Sequence, residues 1–340
     1  MVTIKEIARE ANISPTTVSL ILNHKARERK ISAETEQRVL QIAARMGYLP
    51  NLQAVSLKKA GGQFAYRILI LWVADSRAPT MLRFFRGVEE TVARENLPFE
   101  VLLQPYRAGA LQNAMKESLV LSCHGIIVCN ASERDLEYLD SRCFPRPVIL
   151  YNRYSRKYSG VVMDDRSIGS IPAEIFASHG RTRPAVVTSL PTFNGMNIRR
   201  NLFAYTCRSL GMEEPVLYCC DPTARGGYEM TLRLLEEHPE TDCIFYMREG
   251  LALGALRAFT EKGIYFPGGP EFIAIEDAAL GLSEVCLPAL SVVHLPLEAV
   301  ASECTRLMNR LLHSPGCEIA STAAGSWYCI CETSIPWSRY

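Results

Sequence analysis

Thr3, Ser14, Thr16, Thr17, Ser19 and Asn23 place six short hydroxyl and amide side chains within the first two dozen residues. Such groups donate and accept single hydrogen bonds, which suits phosphate oxygens and base edges and is no arrangement for breaking bonds. The loop that follows, His24-Lys25-Ala26-Arg27-Glu28-Arg29-Lys30, adds cations beside them. Over residues 1–63 ten Lys/Arg stand against five Asp/Glu, although the whole chain of 340 residues carries a net charge of only +1. A basic segment ahead of a near-neutral body points to a head that meets a polyanion.

These side chains need helices to aim them. Thr3 and Glu6 have the spacing of a capping box, so a helix starts at Ile4. Ser14 is a second N-cap, with Pro15 at the first helical position, where a missing N–H is harmless. Ile4, Ile7, Ala8 and Ala11 form one apolar stripe; Val18, Ile21 and Leu22 form another. A third helix starts at Ser32, has Glu34 and Glu36 in its first turn, buries Val39, Leu40, Ile42, Ala43 and Met46, and ends at Gly47. Two short helices joined tightly are a helix-turn-helix, whose second helix enters the DNA major groove. Pro15, Thr16 and Leu20 point away from the apolar stripe toward base edges. Thr16 can donate or accept there, and Leu20 can only touch a thymine methyl. Thr3, Ser14, Thr17, Ser19 and Asn23 are expected to hold the backbone.

Several of these runs are specific. Ile-Lys-Glu-Ile-Ala at 4–8, Ser-Pro-Thr-Thr-Val-Ser at 14–19, Gly47-Tyr48, Pro50-Asn51 and Ser56-Leu57 resemble the lactose/galactose-repressor (LacI/GalR) family. The resemblance implies a DNA-binding domain at 1–49, a hinge helix and linker at 50–63, and an effector-binding and dimerisation domain at 64–340. Residues 51–58 are too few for an independent helix. The resemblance implies that they fold on DNA beside a twin, with Leu57 wedged into the minor groove and Asn51, Gln53, Ala54 and Lys58 alongside. Val55 departs from the basic residue that many relatives carry there. Ala60-Gly61-Gly62-Gln63 is the flexible joint to the body.

From Tyr66 onward apolar runs of four to seven residues alternate with helical stretches: 67–73, 99–103, 125–129, 147–151, 160–163, 185–188, 216–218, 243–246 and 272–275. The pattern is that of an α/β fold with parallel sheets. There are too many strands for one compact sheet, so two lobes with a cleft at the strands' carboxyl ends are expected. This resembles the periplasmic-binding-protein-like body of the same family.

Matching the family's effector contacts onto this chain gives Thr80, Met81, Asn152, Asp164, Arg199 (Arg200 if the register slips), Glu249 and Asp277. A carboxylate–arginine set suits sugar hydroxyls or a small polar metabolite. Thr80 and Met81 replace aromatics usual there, Glu249 an Asp, and Leu202 a Gly. Two readings stay open: an atypical ligand, or a cleft that has lost small-molecule binding.

The expected function is a sequence-specific transcription regulator, a repressor in most of the family, binding a palindromic operator in double-stranded DNA as a homodimer. A solute binder without DNA regulation is the alternative. No phosphate loop, Gly-x-Ser-x-Gly elbow or His-Glu-x-x-His motif occurs, and Ser56-x-x-Lys59 lacks companion motifs, so neither an enzyme nor a cofactor is expected. The twelve Cys are not spaced as a metal site, and with no signal-peptide-like or membrane-spanning run they fit a reducing cytoplasm. No Leu heptad near the C-terminus argues for a tetramer.

Overall fold

The computed structural model describes residues 3–22, 26, 29–46, 65–74, 78–276, 282–313 and 327–330. Asn23, the hinge segment 50–63, Asp277 and Cys331 lie outside these.

The head consists of α1 (Ile4–Ala11), α2 (Pro15–Leu22) and α3 (Ala33–Arg45). The capping box is present: Thr3 Oγ1 accepts from Glu6 N–H at 3.3 Å, and Glu6 Oε2 accepts from Thr3 N–H at 2.7 Å. Asn12 ends α1 in the left-handed region at φ 52°, a conformation Asn tolerates better than most residues. Ser14 Oγ accepts from Thr17 N–H at 3.0 Å, and Ser32 Oγ from Thr35 N–H at 3.2 Å, so both expected N-caps form. Ile7, Ala11, Val18, Ile21, Val39 and Ala43 close a small core. One expectation fails: Leu40 is 40% exposed. Val39 and Ala43 already fill the inner face of α3, which leaves the next position in sequence turned outward.

The body begins with β1 (Tyr66–Val73), α4 (Ala78–Arg94), β2 (Phe99–Tyr106), α5 (Leu111–Ala114), α6 (Glu117–Leu121), β3 (Gly125–Cys129), α7 (Glu133–Asp140), β4 (Val148–Tyr151) and β5 (Ser159–Met163). A second unit follows: α8 (Asp165–Ser178), β6 (Pro184–Thr188), α9 (Asn194–Ser209), β7 (Val216–Cys219), α10 (Ala224–Glu237), β8 (Cys243–Tyr246), α11 (Glu249–Glu261), β9 (Glu271–Glu276), α12 (Leu282–Val285) and β10 (Ser291–His294). The chain then returns through α13 (Leu297–His313) and β11 (Trp327–Ile330).

The strands form two sheets, β11-β5-β4-β3-β1-β2 and β10-β9-β8-β6-β7. Each pairing between neighbours is parallel. Helices cover both faces, so β1, β3, β4 and β8 are buried nearly throughout, which is why they read as unbroken apolar runs. In each sheet the first strand lies inside the second, putting topological switch points at β1/β3 and β6/β8, where ligands gather in open α/β sheets. The chain crosses between lobes at Asp164 and again at Leu295-Pro296. On its return α13 packs against α4 so closely that a Cβ on Gly87 would collide with the Glu298 backbone.

Nine of these strands coincide with the apolar runs of the sequence. The strands at Ser291–His294, a run of four that follows a Pro-containing loop, and at Trp327–Ile330 are not among the expected runs. Among the described residues no helix is long and apolar enough to cross a membrane, and no group of His, Cys, Asp and Glu could hold a metal ion.

Candidate functional site

Two regions concentrate polar chemistry. The first is the outer face of α2. Pro15 and Thr16 are exposed at its start, while Thr17, Ser19 and Leu20 are half-buried. Thr16 and Leu20 are four residues apart and share a face, opposite the buried Val18 and Ile21. The hydroxyls of Ser14 and Thr17 bond each other at 2.8 Å. Thr3 Oγ1 likewise serves α1, at 2.9 Å from Glu6 Oε2. Of the hydroxyl-bearing residues of α2 itself, only Thr16 is exposed. Asn23, Asn51, Gln53, Ala54, Leu57 and Lys58 lie outside the described residues.

The second region is a cavity of about 90 Å³ between the lobes, at the carboxyl ends of the strands. Thr80, Asn152 and Arg199, three of the expected ligand residues, line it together. Asn130 after β3 and Asn152 after β4 turn left-handed, at φ 57° and 53°. Asn152 Oδ1 accepts from Met163 N–H at 3.3 Å and so ties the end of β4 to that of β5. The remaining wall comes from both lobes: Tyr151, Met163 and Leu295 on one side, Met196, Met247 and Ile275 on the other.

Arg199 is buried, and its Nε donates to Asp165 Oδ1 at 2.7 Å. Asp164, the carboxylate singled out from sequence, instead caps α8. Its Oδ1 accepts from Arg166 N–H at 3.1 Å and its Oδ2 from the Ser167 hydroxyl at 2.5 Å. Phe193 stands before α9 with two guanidinium groups near its ring, Arg153 at 4.2 Å and Arg199 at 5.7 Å from the centroid. Only glycine fits at Gly195, because a Cβ there would strike both the Asp165 carboxylate and the Phe193 ring. Glu249 is buried at the start of α11, and Met81 packs partly into the core; neither lines the cavity.

A charged relay flanks the cavity where the chain recrosses. Arg83 on α4 donates to Glu298 Oε1 at 2.8 Å through Nε and to Leu295 O at 2.8 Å through Nη2. Arg83 Nη2 also lies 3.0 Å from His294 Nε2. A guanidinium cannot accept, so His294 Nε2 is the acceptor, and Nδ1 carries the proton that bonds Glu276. That hydrogen bond from His294 holds the Glu276 carboxyl below its ordinary range. Burial pushes Glu298 upward, but its bonds to Arg83 prevail and its pKa is lowered. Tyr151 is driven well up by burial and stays a neutral phenol.

Asn130, Tyr151, Phe193 and Met247 are cleft residues that the sequence does not single out, and it pairs Asp165 with Asp164 after a strand without separating their roles. Most lie at or directly after the ends of strands that were recognised, and that position was the signal available.

Residues 3–51 match the family model described as bacterial regulatory proteins, lacI family, and residues 173–322 match the periplasmic binding protein-like domain. The HTH-type transcriptional regulator GalS of Salmonella typhimurium is 23% identical over 312 residues, covering 90% of this chain and 89% of its own. The lac repressor dimer bound to operator and the anti-inducer ONPF aligns at TM-score 0.67 with 16% identity, over 96% of each chain. A transcriptional regulator CelR–cellobiose complex aligns at TM-score 0.66 with 18% identity, over 97% of each. At these identities the two structures show a shared fold.

Proposed function

We propose that this chain, which belongs to the lacI family of bacterial regulatory proteins, represses transcription by holding a palindromic operator as a homodimer. In this reading residues 1–49 bind DNA, 50–63 form the hinge, and 64–340 bind an effector and dimerise. The observation that carries it is the outer face of α2, where Pro15 and Thr16 are exposed and Leu20 half-exposed while Val18 and Ile21 are fully buried. That face can enter a major groove without disturbing the head's core. Thr16 reads a base edge, Leu20 touches a thymine methyl, and Leu57 wedges the central step.

The cavity between the lobes supplies regulation. A small molecule held there contacts both lobes, so it binds the closed arrangement better than the open one and shifts the population between them. Dimerisation draws support from large apolar side chains left on the surface, Val285 at 75% and Leu287 at 92% exposed. Sedimentation of a concentration-independent monomer would overturn the dimer.

The test is selection of bound duplexes from a random pool by the full-length protein. A palindrome with a flexible pyrimidine–purine centre is expected. Replacing Leu57 by Ala should then weaken binding to that site far more than binding to random DNA, and equal losses on both would remove the wedge.

A further inference from the structure

Three buried donors stand side by side along the strand ends of the first lobe. In register, Trp72 on β1 pairs with Cys129 on β3, and Cys129 pairs with Tyr151 on β4. The Trp72 and Tyr151 rings lie 5.8 Å apart, and Asn130 follows Cys129 directly. Trp72 Nε1, Tyr151 Oη and Asn130 Nδ2 are all buried, and none has a hydrogen-bond partner among the described residues. Tyr151 is 1% and Asn130 7% exposed, and both line the interlobe cavity. Buried donors without acceptors are costly and uncommon, and the two on Tyr151 and Asn130, which line the cavity, point to an acceptor that arrives from outside.

The rest of the wall says what kind of acceptor. Its charged members are Arg199 and Arg248, and among the described residues no carboxylate lines it. Across the cleft from the donors the surface is thioether and aliphatic, with Met196, Met247 and Ile275; Met163 and Leu295 extend it on the donors' own side, where Thr80 and Asn152 add polar groups. A sugar carries hydroxyls around its whole rim and would set those on the far side against thioether and aliphatic carbon. The inner part of the cleft measures about 90 Å³, against about 150 Å³ for an apolar cavity that holds benzene, so a body of a few carbons is enough to fill it.

We propose that the cleft takes a short-chain monocarboxylate, whose oxygens accept from Tyr151 and Asn130 and whose alkyl body packs on Met163, Met247 and Leu295. This rests on the effector-cleft reading above and names the class of its ligand.

Calorimetric titration of the full-length protein with butyrate, isovalerate, ribose and lactose tests it, alongside Tyr151→Phe and Asn130→Ala. The two acids bind and the two sugars do not. Tyr151→Phe weakens acid binding by about tenfold, the loss of a hydrogen bond to a charged acceptor. The same variant unfolds no earlier than the native protein without ligand, because the hydroxyl it removes has no partner there. Sugar binding without acid binding would overturn the class and leave the effector reading intact. Acid binding that Tyr151→Phe does not weaken, or silence from all four compounds, would also overturn the class. Acid binding that depends on Tyr151 but leaves operator affinity unmoved would overturn the effector reading alone.

Discussion

Arg153 and Phe193 meet across the cleft, the guanidinium carbon of the first 4.2 Å from the ring centroid of the second. Arg153 belongs to the first lobe, held by hydrogen bonds from Nε to Ala131 O at 2.6 Å and from Nη1 to Asn152 O at 2.5 Å. Phe193 belongs to the second lobe, at the start of α9. With its guanidinium buried and its ring half-buried, such a cation–π contact is worth about 1–2 kcal/mol, and because it joins the two lobes it favours the closed arrangement. Phe193→Ala should therefore raise the open population at least about fivefold. Energy transfer between dyes on the two lobes reads this directly, and an unchanged distance distribution would show that other contacts govern closure.

The two adjacent aspartates at the first crossover have separate jobs, and substitution should tell them apart. Asp165→Asn leaves Arg199 charged and buried with its partner neutralised, a loss of about 3 kcal/mol or more. Asp164→Ala removes an N-cap from α8, a loss of about 1 kcal/mol. Urea unfolding measures both. Equal losses would mean that the Arg199–Asp165 pair is no stronger than an ordinary cap.

This pair also marks where the sequence stops being readable. The head was legible because its signals are local: Thr3 with Glu6, Ser14 with Pro15 and Ser32 with Thr35 each cap within one turn. The strands were legible because burial on both faces leaves an unbroken apolar run. Which of Asp164 and Asp165 faces Arg199 depends on how α8 leaves β5 and packs on α9, 34 residues away in the chain. Phe193 and Tyr151 have the same difficulty. One reads as a loop residue and the other as the last residue of a core strand, and only the closing of two lobes puts both on one cavity.

Within the head, base reading and folding should separate cleanly. Thr16 is exposed on the outer face of α2. Thr16→Ala should weaken the selected operator about fivefold, the worth of one hydrogen bond, and leave random DNA and the salt dependence of binding unchanged. Val18 is fully buried on the opposite side, so Val18→Ala should cost about 2 kcal/mol and loosen the whole head. Fluorescence anisotropy on both duplexes distinguishes the two outcomes. A Thr16→Ala loss shared equally by random DNA would assign that hydroxyl to the backbone.

His124 gives the body a pH dependence whose sign can be worked out. Burial, with help from Arg146 and Arg67, lowers its pKa from 6.5 to about 4. Its Nδ1 accepts from the Arg67 backbone N–H at 2.8 Å, so a proton placed there would break that bond. Between pH 6.5 and about 4 the unfolded chain therefore binds a proton that the folded chain refuses. Stability rises with pH wherever the unfolded state holds more protons. The contribution of His124 is complete above the unfolded value and drains away as pH falls through this window. The lowered carboxylates, Glu276 and Glu298 among them, lose their contributions only below the ordinary value of 4.5. His124→Asn keeps an acceptor in place of Nδ1 and cannot titrate. Its urea midpoint should fall less than the native protein's on acidification from about pH 7 to pH 5, a range set by the ordinary histidine pKa. Parallel curves for the two proteins would show that His124 takes up its proton in the folded state as readily as in the unfolded one.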